Sequence, residues 1–322
     1  GADPQPAPKS NSTKARKKKK PIRLPIEGSM VGYVDDAIVS SQIRVRFDAG
    51  FHDSAPDRAE FFYAQYAGLN GPGPNSVVTD LNFQQFYATA EYAPQKRISF
   101  FAELPVRWIQ PQLIKANVNA TTPLPNQAGL SDLAAGFKLA AIASSNQFLT
   151  FQLQSRFPSG SASEGLGTHH YSVEPALLYY RRLSDRITVE GQLGDSHPIR
   201  GSSCTPSLCG TPNTQAFAGD VFFYGMGPSY VAYRSANVRV APVIELVGWR
   251  ALDGLETECV PAIANCANQV AVRAEGTNIL NLKAGARTML GAHSSFYIGY
   301  GHQLTHAVWY KEIVRAEYRY SF

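Results

Sequence analysis

From Val314 to Phe322 every second residue is apolar. Val314, Ala316, Tyr318, Tyr320 and Phe322 would share one face of an extended chain, and Arg315, Glu317, Arg319 and Ser321 the other. The same period-two alternation recurs about twelve times from residue 41 onward. It predicts strands near 41–52, 82–93, 97–109, 131–142, 148–157, 169–180, 185–195, 220–233, 237–250, 277–289, 294–304 and 308–322. On the first, Ile43, Val45, Phe47, Ala49 and Phe51 oppose Arg44, Arg46 and Asp48. The eighth is the least regular, because Val221, Phe222, Phe223 and Tyr224 are apolar on both faces.

Strands with one oily and one charged face fit a soluble sandwich or a membrane barrel. Three features favour the barrel. The connections after even-numbered strands are short (93–96, 144–146, 183–184, 234–236, 291–292). Those after odd-numbered strands run about ten to thirty residues, except the last, near 303–306. Short turns at one end and long loops at the other, with an even strand count, put both termini on the periplasmic side. An aromatic final residue with tyrosines two and four positions earlier resembles the C-terminal strand of bacterial outer-membrane barrels. Tyr 16 and Phe 17 against Trp 3 fit interfacial aromatic girdles. No apolar run approaches the roughly 18 residues of a membrane helix, which excludes a helical membrane protein. The expected fold is an all-β, twelve-stranded antiparallel transmembrane barrel over residues 41–322, located in the bacterial outer membrane.

Residues 1–40 have a different composition. Pro4, Pro6 and Pro8 precede the basic run Lys14–Lys20, and Pro21 and Pro25 follow it. This reads as a disordered periplasmic tail, and most of the formal charge of +5 resides in it. The run is either a solvated charge cluster or a contact for anionic lipid or cell-wall polymer. The near-balanced charge elsewhere argues against a nucleic-acid partner. No leader segment is recognisable, so the chain reads as a mature one.

Cys204/Cys209 and Cys259/Cys266 form two close pairs in polar stretches after the seventh and ninth strands. No histidine or third cysteine lies near either pair, and the spacing is not that of a zinc site. Two local disulfides, Cys204–Cys209 and Cys259–Cys266, each closing one outer loop, are expected; they imply an oxidising compartment. No cofactor or metal is expected.

Charges on the inner faces are the candidate functional residues. The basic ones are Arg44 and Arg46 on the first strand, Arg97 and Arg107 on the third, Lys138 on the fourth and Arg156 on the fifth. Arg239, Lys283 and Arg287 follow on the ninth and tenth, and Lys311, Arg315 and Arg319 on the last. The acidic ones are Asp48, Glu91, Glu103, Asp132, Glu174, Glu190, Glu245 and Glu317. Twelve basic groups against eight acidic ones predict a mild preference for anions if the lumen is open. The competing reading is cross-barrel pairing that fills the lumen, since barrels of about eight strands are filled and those of about sixteen are open.

His170 and Ser172 share a strand face and raise the possibility of a lipid hydrolase with His as base. Tyr171 and Val173 claim the lipid side, however, and no third orienting group is evident in the sequence. Asn11-Ser12-Thr13, Asn119-Ala120-Thr121 and the turn-rich 71–74 stretch are weak motifs without chemistry.

Gly129-Leu130-Ser131-Asp132-Leu133 with Gly136 and Lys138, then Arg156-Phe157-Pro158-Ser159-Gly160 and Gly165-Leu166-Gly167, form a more specific pattern. It resembles a bacterial outer-membrane family, transporters of the MetA pathway of phenol degradation. Ser131 and Ser159 stand where that family's pattern has Gly and Thr. The resemblance implies a twelve-stranded channel for passive uptake of small organic solutes, aromatic or anionic ones among them. The expected partners are those solutes, outer-membrane lipid and lipopolysaccharide.

Overall fold

The computed structural model describes residue 1 and residues 28–115, 124–209, 215–259 and 269–322. Twelve antiparallel strands form a closed barrel. They are β1 (Gln42–Asp53), β2 (Val77–Gln95), β3 (Ile98–Lys115), β4 (Leu133–Ala143), β5 (Gln147–Phe157) and β6 (Tyr171–Arg182). β7 (Ile187–Ile199), β8 (Val221–Tyr230), β9 (Val238–Ala251), β10 (Asn278–Leu290), β11 (Ser294–Gln303) and β12 (Glu312–Ser321) complete it. Each pairs with its sequence neighbours, and β12 closes on β1 from Gln42↔Ser321 to Phe51↔Glu312. Closure leaves no open sheet edge, so every wall strand satisfies its backbone within the sheet, as a lipid surroundings requires.

The alternation read in the sequence sets which face meets what. On β12, Ile313, Arg315, Glu317 and Arg319 are at most 9% exposed, while Val314, Tyr318 and Tyr320 are 39–43% exposed. β1 repeats this, with Ile43 and Phe47 outside, and so does β3, with Phe100, Leu104 and Trp108 outside. Charged groups inside and oily groups outside invert the soluble rule. The exposed belt is therefore a lipid-facing surface.

Turns 96–97, 144–146, 183–186, 231–237 and 291–293 join strands at one end. At the other end lie longer loops. The connection between β11 and β12 spans 304–311, longer than the turn expected near 303–306, because β12 starts at Glu312 rather than near 308. β4 likewise starts two residues later than expected. Asp132, just before it, accepts from Gly160 N–H (3.0 Å) and Thr168 N–H (2.8 Å) and so organises loop 158–170 instead of continuing the strand.

The tail expected over 1–40 takes a different form from Gly28 onward. Residues 28–41 lie inside the barrel as a plug, with Met30, Val31 and Ala37 fully buried. The rest of that expected tail, including Lys14–Lys20, lies outside the described residues.

Candidate functional site

The plug has no sheet partner, so its backbone polar groups need another source of hydrogen bonds. Barrel side chains provide them. Glu245 accepts from the N–H groups of Gly32 (3.1 Å), Tyr33 (2.8 Å) and Val34 (2.8 Å). Glu190 accepts from Met30 N–H (2.7 Å), and Gln192 from Asp35 N–H (2.7 Å). On the carbonyl side, Arg287 donates to Met30 and Val31, Arg315 donates to Gly32 (2.6 Å), and the Thr150 hydroxyl donates to Ala37 (2.6 Å). Gly32 is required by close approach: a Cβ there would stand 2.1 Å from the Tyr297 ring.

The remaining inner charges largely neutralise one another. Arg44 pairs with Glu103 (3.2 Å), Lys138 with Glu91 (3.1 Å) and Arg156 with Glu174 (2.8 Å). Arg315 forms a bidentate pair with Asp48, each bond 2.6 Å. Glu317 joins Arg287 (2.7 Å) and Arg319 (2.5 Å), and Arg319 also reaches Asp36 of the plug (3.2 Å). Arg46 bridges Asp48 and Glu103. Three residues of the expected set lie elsewhere or at the margin. Arg97 is exposed on the turn between β2 and β3, where it caps Ala141 O (3.1 Å). Lys311 is exposed in the loop before β12, and Arg239 is half-buried at the turn end of β9. Strict alternation had carried the expected strands past their ends.

Above the plug, a cavity of about 250 Å³ occupies the outer half of the lumen. Its floor is Tyr33, whose ring lies 3.9 Å from Lys283 Nζ and 4.2 Å from the Arg315 guanidinium carbon. Lys283 donates to the Tyr310 hydroxyl (2.7 Å) and makes no ion pair among the described residues. Arg107 stacks on Phe62 at 3.9 Å and donates to its carbonyl (2.7 Å). The roof is loop 54–76, folded into the mouth. There Phe61 stacks on Trp309 (5.0 Å) and Phe62 packs on Phe83 (4.9 Å). Aromatic faces and two cations without carboxylate partners form one side, and Arg156, His170, Ser172 and Glu174 the other.

The roof is clamped to the other outer loops. Asp57 accepts from the N–H of Thr257 (3.2 Å) and from its hydroxyl, and Arg58 meets Glu256 and donates to Val308 O (3.0 Å). Glu60 accepts from Ser202 N–H (2.9 Å), and Ala64 N–H donates to Gly167 O (3.1 Å). Ala59 and Glu60 both have φ near +50°, a backbone region that costs non-glycine residues about 1–2 kcal/mol each. Burial of the Asp57 carboxyl pushes its pKa up to about 6, against the hydrogen bonds from Thr257.

His170 and Ser172 line the cavity, away from lipid. His170 Nδ1 lies 3.0 Å from Thr168 O and 3.4 Å from Glu60 Oε2. On the outer rim, Asp195, His197 and Asp220 bring three potential ligand atoms within 4.8 Å, but His197 and Asp220 already pair at 2.6 Å on an exposed surface. Cys204 is buried and Cys259 ends a short hairpin strand; neither is free. Cys266 and the side chain of Cys209 lie outside the described residues, as does Asn119.

Sequence spacing placed Trp249 on an inner face but did not single out Tyr33, Phe61, Phe62, Trp309 or Tyr310. These five sit on the plug or in loops, where alternation carries no information. Their signal was the density of aromatics outside the strands.

No known family model matches the chain. No curated protein matches its sequence. Solved structures do match in fold. An outer-membrane channel from Pseudomonas putida F1 superposes with a TM-score of 0.54 at 14% identity, over 91% of this chain and 99% of that one. The beta domain of the Bordetella autotransporter BrkA gives 0.50 at 12% identity, over 88% of this chain and 100% of that one. The fold is that of bacterial outer-membrane barrels, and the lipid-facing belt fits that location.

Proposed function

We propose that the protein is an outer-membrane channel for passive uptake of small organic solutes, single-ring aromatic or anionic compounds among them. The observation that carries this reading is the cavity between plug and roof. A dry cavity of about 150 Å³ accommodates benzene, so about 250 Å³ suits one substituted ring. Tyr33, Phe62, Phe83 and Trp249 offer it stacking faces, and Lys283 and Arg107 favour an anionic or hydrogen-bond-accepting substituent. The fold shared with the Pseudomonas channel and the resemblance over 128–195 to transporters of phenol degradation support the same reading.

The protein is read as a channel rather than an enzyme. His170 and Ser172 face the cavity, so a lipid substrate would have no direct access from the membrane. A barrel whose filled lumen only supports its wall is a second reading, favoured by the plug. Proteoliposome swelling with single-ring carboxylates, phenols and sugars of similar size separates the two. Uptake of the aromatic solutes, weakened by Lys283→Met, is the expected result. No swelling with any solute would leave the structural reading.

A further inference from the structure

The plug does not seal the lumen equally on all sides. Toward β9–β11 it is dry: Met30, Val31 and Val34 pack among Val243, Val247, Ile279 and Tyr297. Toward the turn end of β5 and β6, Ile38 and Val39 pack on Phe148, Leu178 and Tyr180. Toward β12, Arg315 and Arg319 bind it directly. Beside β1–β5 it faces polar side chains across a gap. That gap, about 20 Å³, is lined by Asp35 of the plug with Gln42, Arg44, Glu91, Lys138 and Gln152. It is the size of a single water. Gln154 also lines it and donates to Glu174 (2.7 Å), a residue of the upper cavity, so one hydrogen bond links the walls of the two spaces.

We propose that this gap is the ion path through the plugged barrel and that Asp35 sets its selectivity, favouring cations; the inference rests on the channel reading. The charges around the gap cancel in pairs, Arg44 with Glu103, Lys138 with Glu91 and Asp36 with Arg319. Asp35 is the exception. Among the described residues it forms no ion pair, and its carboxylate accepts only from Gln152 Nε2 (3.2 Å). One unbalanced negative charge in a narrow, low-dielectric passage concentrates cations there and repels anions. This is the reverse of the preference expected from counting inner charges, because the unpaired cations Lys283 and Arg107 line the wider upper cavity and not the narrow gap.

Planar-bilayer recordings of the full chain under a potassium chloride gradient test this. The native protein should show a small, cation-preferring conductance. Asp35→Asn keeps the side-chain shape and the backbone bond to Gln192, and should bring the permeability ratio toward unity. Asp35→Lys should reverse it, Asp35→Glu should retain it, and Asp80→Asn on the outer rim should leave it unchanged. An anion-preferring native protein, or an Asp35→Asn variant with native selectivity, overturns the proposal. Solute-driven swelling without any ionic current would also overturn it while leaving the channel reading intact. Absence of both would remove the channel reading itself.

Discussion

Glu245 carries the plug to a degree out of proportion to one side chain. Its two oxygens take three consecutive backbone N–H groups and the Tyr297 hydroxyl (3.2 Å), at 1% exposure. Leaving a buried donor unsatisfied costs about 1–3 kcal/mol. Glu245→Ala should therefore loosen the plug by about 3 kcal/mol or more, even with some rearrangement. Hydrogen exchange at residues 30–36 should accelerate by about two orders of magnitude while the wall strands stay protected. Unchanged exchange would show that apolar packing alone holds the segment. Gly32→Ala tests the same seat by shape, since its methyl would enter the Tyr297 ring. The sequence placed Glu190, Glu245, Arg287 and Arg315 on inner faces, because parity along a strand carries that information. It could not say that their partners are amides and carbonyls, which belong to no residue type. Parity also fails at strand ends: Arg97 and Lys311 keep the phase of their strands but lie in a turn and a loop.

Among the elements, the strands were legible because lipid on one side makes the alternation plain, and β8 was the least so because Phe222–Tyr224 is half-buried on both faces. The plug was not. Residues 30–39 are apolar-rich, Met30, Val31, Tyr33, Val34, Ala37, Ile38 and Val39, and differ in this from the basic run before them. That contrast was the available signal, but ten residues without period-two alternation resemble neither strand nor helix. The roof loop carries a pH dependence. Closed, it holds the Asp57 carboxyl at a pKa of about 6; opened to water the group returns to its ordinary value of 3.8. A raised pKa in the closed form means that closure is fully favoured below the open-state value and loses that contribution as pH rises through about 6. The difference, about two units, corresponds to about 3 kcal/mol. Neighbouring Glu256 adds to the rise, and Asp57 in turn raises Asp53, whose charged form Arg58 favours, so Asp57 does not titrate alone. Protease cleavage in 54–76 should increase from pH 5 to pH 8, and Asp57→Asn should hold the loop closed across that range. Cleavage that is flat with pH in the native protein would contradict this. For the outer loops, peptide mapping without reductant should recover Cys204 linked to Cys209 and Cys259 linked to Cys266. Such short closures contribute about 2 kcal/mol, mostly to loop order. A bridge between the two pairs would instead tie two loops together.

At the scale of the whole molecule, wall and plug depend on each other. The wall is closed by β12 against β1, and the plug leads directly into β1. The barrel should require detergent for extraction and migrate faster on gels before heating than after; a monomer soluble without detergent would contradict the fold. Deleting residues 28–39 should enlarge the conductance, yet it strands Glu190, Glu245, Arg287 and part of the Arg315 fork in a low-dielectric interior. Breaking one buried charged contact costs about 3–5 kcal/mol. The deletion should therefore lower the unfolding midpoint far more than a change in a loop, and a midpoint equal to that of the full chain would mean that water replaces the plug freely.

A segment gripped by its main chain is indifferent to much of its own spelling. Over generations, Asp35 can be exchanged almost as an insert in a fixed holder, while the glutamates and arginines of the holder cannot drift. A comparison of descendants of this gene should find variation at Asp35 and constancy on the holding side, with Gly32, the buried Met30, Val31 and Ala37, and the Arg319 partner Asp36 constant among the held residues. New charge preferences could then arise by single substitutions, without rebuilding the wall around them.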